Sequence, residues 1–458
     1  MSVPDATGEL EASIWDRRRR WVTLGAVALI FLAAIEALAV TTVMPVVSAA
    51  LDGESLYAVA FAGTLATSVI GMVASGAASD ARGPRSALYV SVALFLVGLI
   101  VSGAAVTMHQ FLIGRLIQGL GAGGQTVALY VVVARLYPAH LHGRVFAAFA
   151  AAWVVPSMIG PFLAGAIADY LDWRWAFLGV AVLTAGAFAM VALRLRGVDL
   201  GGGETLQRGV VAVRLILSVV VAAAAVAVGF SADAVPAVGW PIAAAAVVVI
   251  GFAIRPLVPR GTLRAVRGLP SVVLMRGMVA GAFFAAEAYI PYLLMERFDF
   301  TATLAGIALT FAAFAWAGAS ALQGRYGERL GNGRIAAISL GLILVALFSV
   351  LATAVLGLSP LIVVIGWAFG GGGMGLVYPR LTVLTLAYSD AGNQGFNSSA
   401  LSISDSGGSA VVIALAGLGV ATLGGGADAF WFVFVFAIAL VLLSAIPGFR
   451  LGHAAERS

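Results

Sequence analysis

The sequence predicts an all-α polytopic membrane protein with fourteen transmembrane helices, built as two six-helix bundles and a central two-helix insert. Three observations predict it. Of 458 residues, 62% are hydrophobic and 10% charged, whereas a soluble domain carries about 25% charged residues. Apolar runs of about 20 residues, each enough to cross a bilayer as a helix, recur from end to end. Arginine, which carries all of the Lys+Arg positive charge, concentrates in the tails and in every second loop, leaving Arg174 and Arg297 on the opposite side, as cytoplasmic loops and termini require.

The elements follow in order. After a cytoplasmic tail at 1–20, spans are expected near 21–50, 57–79, 86–107, 110–136, 146–170 and 175–193, forming an N-terminal bundle over 21–196. A linker at 197–268 holds Gly201 to Gly203 and two further apolar runs, 209–231 and 237–255. Those two runs alone separate fourteen helices from twelve, because removing a pair leaves the sidedness of every loop unchanged. They carry no acid at depth, so the insert is expected to be peripheral. Six more spans, near 270–295, 302–322, 335–357, 360–388, 396–423 and 428–449, form the C-terminal bundle over 269–449, before a cytoplasmic tail at 450–458. No cleavable leader is expected, since the first apolar run is too long for a signal peptide.

Composition also excludes function classes. Cysteine is absent, and His109, His140, His142 and His453 lie in predicted loops or the tail, so no thiolate or metal chemistry is expected. No Ser/His or metal constellation lies at membrane depth, which argues against an enzyme. The run Arg17 to Arg20 abuts the first span, where positive residues fix topology and meet anionic lipid, so nucleic acid is not an expected partner.

An internal repeat joins the halves. Gly76, Asp80, Gly83 and Arg85 in GAASDARGPR correspond to Gly324, Glu328, Gly331 and Arg334 in GRYGERLGNGR, and GAGGQTVALYVVVARLY is echoed by GGMGLVYPRLTVLTLAY. Paired six-helix repeats with a site between them near the midplane are a transporter architecture. Glycines permit a tight turn, and a carboxylate such as Asp80 can sit at a helix N-terminus or pair with an arginine. Gly76, Asp80, Arg82, Gly83 and Arg85, and Glu328 in the second copy, are therefore expected to form a conformational latch.

GAASDARGPR resembles the signature loop between the second and third helices of the major facilitator superfamily, with Gly76, Asp80, Arg82, Gly83 and Arg85 in place. Arg115, Gln118, Gly119, Gly121 and Gly123 look like the Arg-x-x-Gln-Gly-x-Gly pattern of its drug:proton antiporters. Glu36 and Pro45 take the aspartate and proline positions of their first-helix pattern, with Leu38 and Thr41 departing from it. Gly160, Pro161 and Gly165 resemble the fifth-helix antiporter motif, although Pro156 and Ala164 stand where it has glycines. The central extra pair is similar to the fourteen-helix drug:proton antiporter family. That resemblance implies proton-driven transport without a cofactor, with Glu36 binding the proton, in the plasma membrane; a monomer is expected.

At about 1.5 Å rise per residue, Glu36, Arg115 and Glu287 each fall roughly 20 Å from the cytoplasmic edge, so these three are expected to share the proton-coupling level between the bundles. Glu36 and Arg115 have a fixed structural pair as their lesser alternative. Gln118, Trp153, Phe283, Phe284, Tyr289, Tyr292, Phe314 and Trp316 are candidates to line the substrate cavity. Asp405 is expected to pair with Arg380, and Arg214 and Arg276 to reach toward headgroups. Two acids against one arginine favour cationic or neutral lipophilic substrates. Export of such molecules is the expected function; a dedicated exporter of a lipid, siderophore or secondary metabolite, an uptake symporter and a non-transporting sensor are the alternatives.

Overall fold

A computed structural model of the chain describes residues 14–16, 19–198, 200–201, 208–233, 235–389 and 393–451. Fourteen of its helices are long and apolar enough to cross a membrane, and the described residues form no strand. The first six are α1 (Arg20–Ala50), α2 (Tyr57–Arg82), α3 (Pro84–Gly103), α4 (Met108–Leu136), α5 (Ala139–Tyr170) and α6 (Trp175–Leu195). The insert is α7 (Arg208–Phe230) and α8 (Pro236–Ala253). The last six are α9 (Leu269–Phe298), α10 (Ala302–Leu330), α11 (Asn332–Leu356), α12 (Pro360–Ala387), α13 (Gln394–Thr422) and α14 (Trp431–Gly448). With an even number of spans, α1 begins and α14 ends on the same side, called here the terminal face, opposite the far face.

Most boundaries lie within a few residues of expectation. Helices α5 and α10 are the exceptions: α5 starts at Ala139, immediately after Pro138, while its apolar span begins only at Ala151, and α10 runs on to Leu330, about eight residues past its expected end. Hydropathy registers the lipid-crossing part of a helix and misses a polar turn that continues it. Arg17, Arg18 and His453 lie outside the described residues.

The repeat holds at the level of the backbone. Gly83 ends α2 and caps α3 with φ 83° and ψ 155°, and Gly331 ends α10 and caps α11 with φ 75° and ψ 159°. Both φ values lie where a side chain is disfavoured. The glycine strings serve close packing. On α4, a Cβ at Gly119 or Gly123 would collide with the α2 backbone at Thr64 or Ser68, and one at Gly121 with Phe95 of α3. On α12, Gly371 and Gly375 meet α10 at Ala312 and Trp316, and Gly373 meets Ser339 of α11. Small residues let helices approach where lipid supplies no hydrophobic drive for association.

Within the first six helices, α4 packs on α2 and α3, and α1 on α5 and α6; within the last six, α12 packs on α10 and α11, and α9 on α13 and α14. The two groups meet along two seams, α5 with α10 and α2 with α13. The insert lies at the periphery, its two spans the least buried of the fourteen, and from there α7 packs on both α2 and α13. Ala66 of α2, Val221, Ala222 and Ala225 of α7, Ile250 of α8 and Ala410 of α13 share one buried apolar cluster. Small side chains on all three sides let the hairpin lie across that seam.

At the far face the groups are fastened together. Asp169 at the end of α5 accepts hydrogen bonds from the backbone N–H of Thr303 (2.8 Å) and Ala302 (3.2 Å), and from the Thr303 hydroxyl, at the start of α10. Gly165 abuts the Ala302 carbonyl and Gly306 the Pro161 carbonyl, too close for any Cβ. Beside the other seam, the Tyr57 hydroxyl of α2 donates to the Ala288 carbonyl of α9.

Candidate functional site

Helix α1 places Glu36 and helix α4 places Arg115 in the interior of the first group. Arg115 Nη1 donates to Glu36 Oε1 and to Gln118 Oε1 (2.7 Å), while its Nε reaches the Ala60 carbonyl at 3.5 Å. Residues 115 and 118 are one helical turn apart and so share a face. The Arg115 and Glu36 side chains are only 4% and 5% exposed. In such surroundings the attraction between charges is strong and removal of either partner is costly. Gln118 is fully buried and orients the guanidinium; it does not line open space.

Glu287 does not join this pair. It projects from α9 within the second group, and no cation lies within ion-pair distance of it among the described residues. Its neighbour is Trp367 of α12, whose buried indole N–H faces the carboxyl group without closing a hydrogen bond in this conformation. Phe283, one turn earlier, stacks flat on Trp367, with ring centroids 4.6 Å apart. Depth along a helix fixed the height of Glu287; which side of the protein it faces depends on packing.

Several expected cavity residues are packed instead. Phe283 and Tyr289 are buried. Tyr289 and Tyr292 cluster with Tyr57 and Phe430 near the far face, with ring centroids 4.9 to 5.4 Å apart, and so reinforce the fastening there. Phe284 and Trp316 are half-buried and approach the Tyr378 ring at 6.4 and 5.2 Å. Trp153 of α5 and Phe314 of α10 are exposed.

A second polar centre escaped the sequence reading. Arg276 of α9 does not reach out to headgroups, and Asp405 of α13 does not pair with Arg380. Instead Arg276 Nη2 donates to Asp405 Oδ2 at 3.3 Å, the Tyr378 hydroxyl donates to Asp405 Oδ1 at 2.6 Å, and the guanidinium lies 3.4 Å from the Tyr378 ring centroid. Arg380 donates from Nε to Asn332 Oδ1 at 2.6 Å. Tyr378 and Arg380 are two residues apart, about 200° around a helix, so they face different neighbours. An acid inside an apolar helix marks a functional candidate, and Asp405 carried that signal; its partner, one arginine among many, was not readable.

The expected latch residues lie at the terminal face. Gly83 packs against the Gly201 carbonyl of the linker, and Arg85 Nη1 donates to the Leu195 carbonyl at 3.4 Å. These contacts stay on the side of the first six helices. Gly76 is loosely packed near Val127, Arg82 is exposed, and Asp80 is partnered. The Glu328 side chain lies outside the described residues. Of the fifth-helix motif, Gly160 faces Leu38 of α1, and Pro161 and Gly165 make the contact with α10.

Comparison with known proteins agrees with this architecture. The family model described as Major Facilitator Superfamily matches residues 26–412. An acurin A biosynthesis cluster MFS-type transporter from Aspergillus aculeatus is 30% identical over 216 residues, 44% of this chain and 39% of that protein. The efflux pump FUS6 of Gibberella moniliformis is 28% identical over 215 residues, 44% of this chain and 38% of that protein. The chain thus spans about two fifths of the length of these curated relatives. A POT family transporter solved with 5-aminolevulinic acid superposes with a TM-score of 0.67 at 16% identity, covering 92% of this chain and 94% of that one. A D-xylose-proton symporter does so at 0.61 and 16%, covering 93% and 96%. The chain is a multi-pass membrane protein and belongs to the Major Facilitator Superfamily, a family of transporters and not of enzymes.

Proposed function

We propose that the chain is a proton-coupled secondary transporter of the plasma membrane that exports lipophilic cationic or neutral small molecules. The observation that carries this reading is the buried Glu36–Arg115 pair, set apart from Glu287, a carboxyl group without a cation beside it. On this reading the terminal face is cytoplasmic, and the far-face contacts of Asp169, Gly165 and Tyr57 are the outer gate. Opening that gate admits a proton from outside to Glu36, which weakens its hold on Arg115 and releases substrate. Rocking of the two helix groups then returns the site to the cytoplasm, where the proton leaves and substrate binds again.

No cofactor enters this cycle; the proton gradient supplies the energy. Counting Asp405 and Arg276, three acids face two arginines, and the surplus acid favours cationic or neutral substrates over anions. Each chain holds both groups of helices, so a monomer suffices. A dedicated exporter of one secondary metabolite is the second reading, supported by the printed names of the acurin-cluster and FUS6 relatives.

The test uses protein reconstituted in inside-out vesicles with a pH-sensitive dye and a panel of lipophilic cations and neutral compounds. Proton release from the lumen on substrate addition is expected, and Glu36→Gln protein that elutes as a folded species should lose transport driven by the proton gradient. Uphill transport by that variant would overturn the assignment of Glu36. Silence across the panel, with proton release on a single metabolite, would favour the dedicated exporter.

A further inference from the structure

We propose that Asp405 reads the charge of the substrate: its carboxylate takes the N–H donors of a protonated primary or secondary amine, whose apolar body lies against Phe284, Trp316 and Tyr378. The proposal rests on the export of cations argued above and deepens it, by separating the group that binds the substrate from the group that binds the proton.

Asp405 has hydrogen-bonding capacity to spare. An ionised carboxylate offers about four acceptor positions. Among the described residues, one oxygen accepts from the Tyr378 hydroxyl and the other from Arg276 Nη2. The arginine contact, at 3.3 Å, is longer than the roughly 2.7–2.9 Å of a tight charge-assisted bond. Arg276 is also shared, its Nη1 donating to the Tyr378 carbonyl at 3.3 Å and the Thr382 hydroxyl at 3.5 Å. The Asp405 side chain is 26% exposed, so its remaining acceptor positions are within reach of a ligand.

The centre looks into the space between the two helix groups. Arg276 belongs to the second group, yet Tyr130 of α4, in the first, lies within electrostatic reach of it. Tyr130 is nonetheless 45% exposed, so open space separates the groups at this level. Arg276 stands seven residues from the terminal-face end of α9, Tyr378 nine from that of α12 and Asp405 eleven from that of α13, a depth of roughly 10–17 Å. Glu36, sixteen residues along α1, lies deeper, at about 24 Å. A molecule entering from the terminal face meets Asp405 before it meets the Glu36–Arg115 pair.

Aromatic rings complete the site. Trp316 and Phe284, both half-buried, stand edge-on to Tyr378 at 72° and 85°, and Tyr130 stacks with Phe149 on the opposite wall. Rings attract cations as well as apolar surface. The chain's own Arg276, 3.4 Å from the Tyr378 ring centroid and paired with Asp405, is one cation that this combination already holds. An amine matches it in charge and in N–H donors; a quaternary ammonium matches only the charge.

Isothermal titration calorimetry of the full chain in detergent, without a proton gradient, tests this with biphenylmethylamine, its quaternary trimethyl analogue and neutral biphenylmethanol. The amine should bind about tenfold or more tightly than either analogue, the difference made by one charge-assisted hydrogen bond. In Asp405→Asn that preference should fall below about twofold. Arg276→Gln removes the like charge beside Asp405 and should raise the preference. Size-exclusion profiles and thermal midpoints verify folding of each variant. An undiminished preference in Asp405→Asn overturns the proposal, and so does an equal weakening of all three compounds in both variants, which would make the pair purely structural. A parent that binds the quaternary analogue as tightly as the amine also overturns it. Absence of proton-driven transport in vesicles would sink the export reading instead, and the binding ratios stand or fall without it.

Discussion

The two interior ion pairs differ in how far water can reach them. Arg115 and Glu36 are 4% and 5% exposed, and the arginine is further held by Gln118 and the Ala60 carbonyl. Arg276 and Asp405 are 14% and 26% exposed, sit 3.3 Å apart and lean on one tyrosine. Each pair joins helices of one six-helix group, yet only the first is sealed. Breaking a sealed pair strands a charge that nothing can solvate, whereas a half-open pair can exchange its partner for water or for a ligand. The first pair is built to resist change, and the second to yield; in the proposed cycle a proton is what opens the first.

Removing Glu36 should have the largest effect. Glu36→Gln leaves the Arg115 guanidinium charged and buried, at a cost of about 3–5 kcal/mol. It should lower the thermal unfolding midpoint in detergent by far more than any change at the second pair, and Glu36→Gln/Arg115→Gln should restore most of the loss. A Glu36→Gln protein as stable as the parent would dissolve the contrast.

Asp405→Asn comes next, at about 1–2 kcal/mol, because its amide oxygen can still accept from Tyr378 and water can reach Arg276. A loss equal to that of Glu36→Gln would show that exposure is not what distinguishes the pairs. Smallest is Tyr57→Phe, which removes one hydrogen bond of the far-face fastening, worth about 1 kcal/mol. Since the chain has no cysteine, a single Cys at position 302, where the alanine is fully buried, reports opening of the proposed gate; Tyr57→Phe should increase its labelling by a membrane-impermeant maleimide applied from the far face. Unchanged labelling would remove the Tyr57–Ala288 contact from the gate.

The sequence made the fold legible because apolar length alone identifies a membrane helix, and the fourteen spans followed from it. Gly83 and Gly331 were visible as a repeat because a sharp turn demands glycine in both copies. At the site, counting residues along α1 and α4 located Glu36 and Arg115 correctly, since both lie at one depth and on adjoining helices. The same count could not separate Glu287 from them: rise gives height, while direction around the helix axis depends on neighbours. Phe283 and Tyr289 were misread for that reason, aromatic side chains serving equally to line space or to fill it. Arg276 and Asp405 are separated by more than a hundred residues, and only the meeting of α9, α12 and α13 shows that they belong together. The contacts of α7 were hidden because hydropathy registers a span and its length, while the neighbour it meets depends on packing.

The insert gives the molecule a handedness. Resting on α2 and α13 together, it is a beam laid over one seam, while among the described residues the α5–α10 seam carries no such cover. Parting the groups along the covered line would mean dragging the beam or peeling it from Ala66 and Ala410. A molecule dissolved in the bilayer would therefore meet the hairpin on one flank and the bare α5–α10 helix pair on the other.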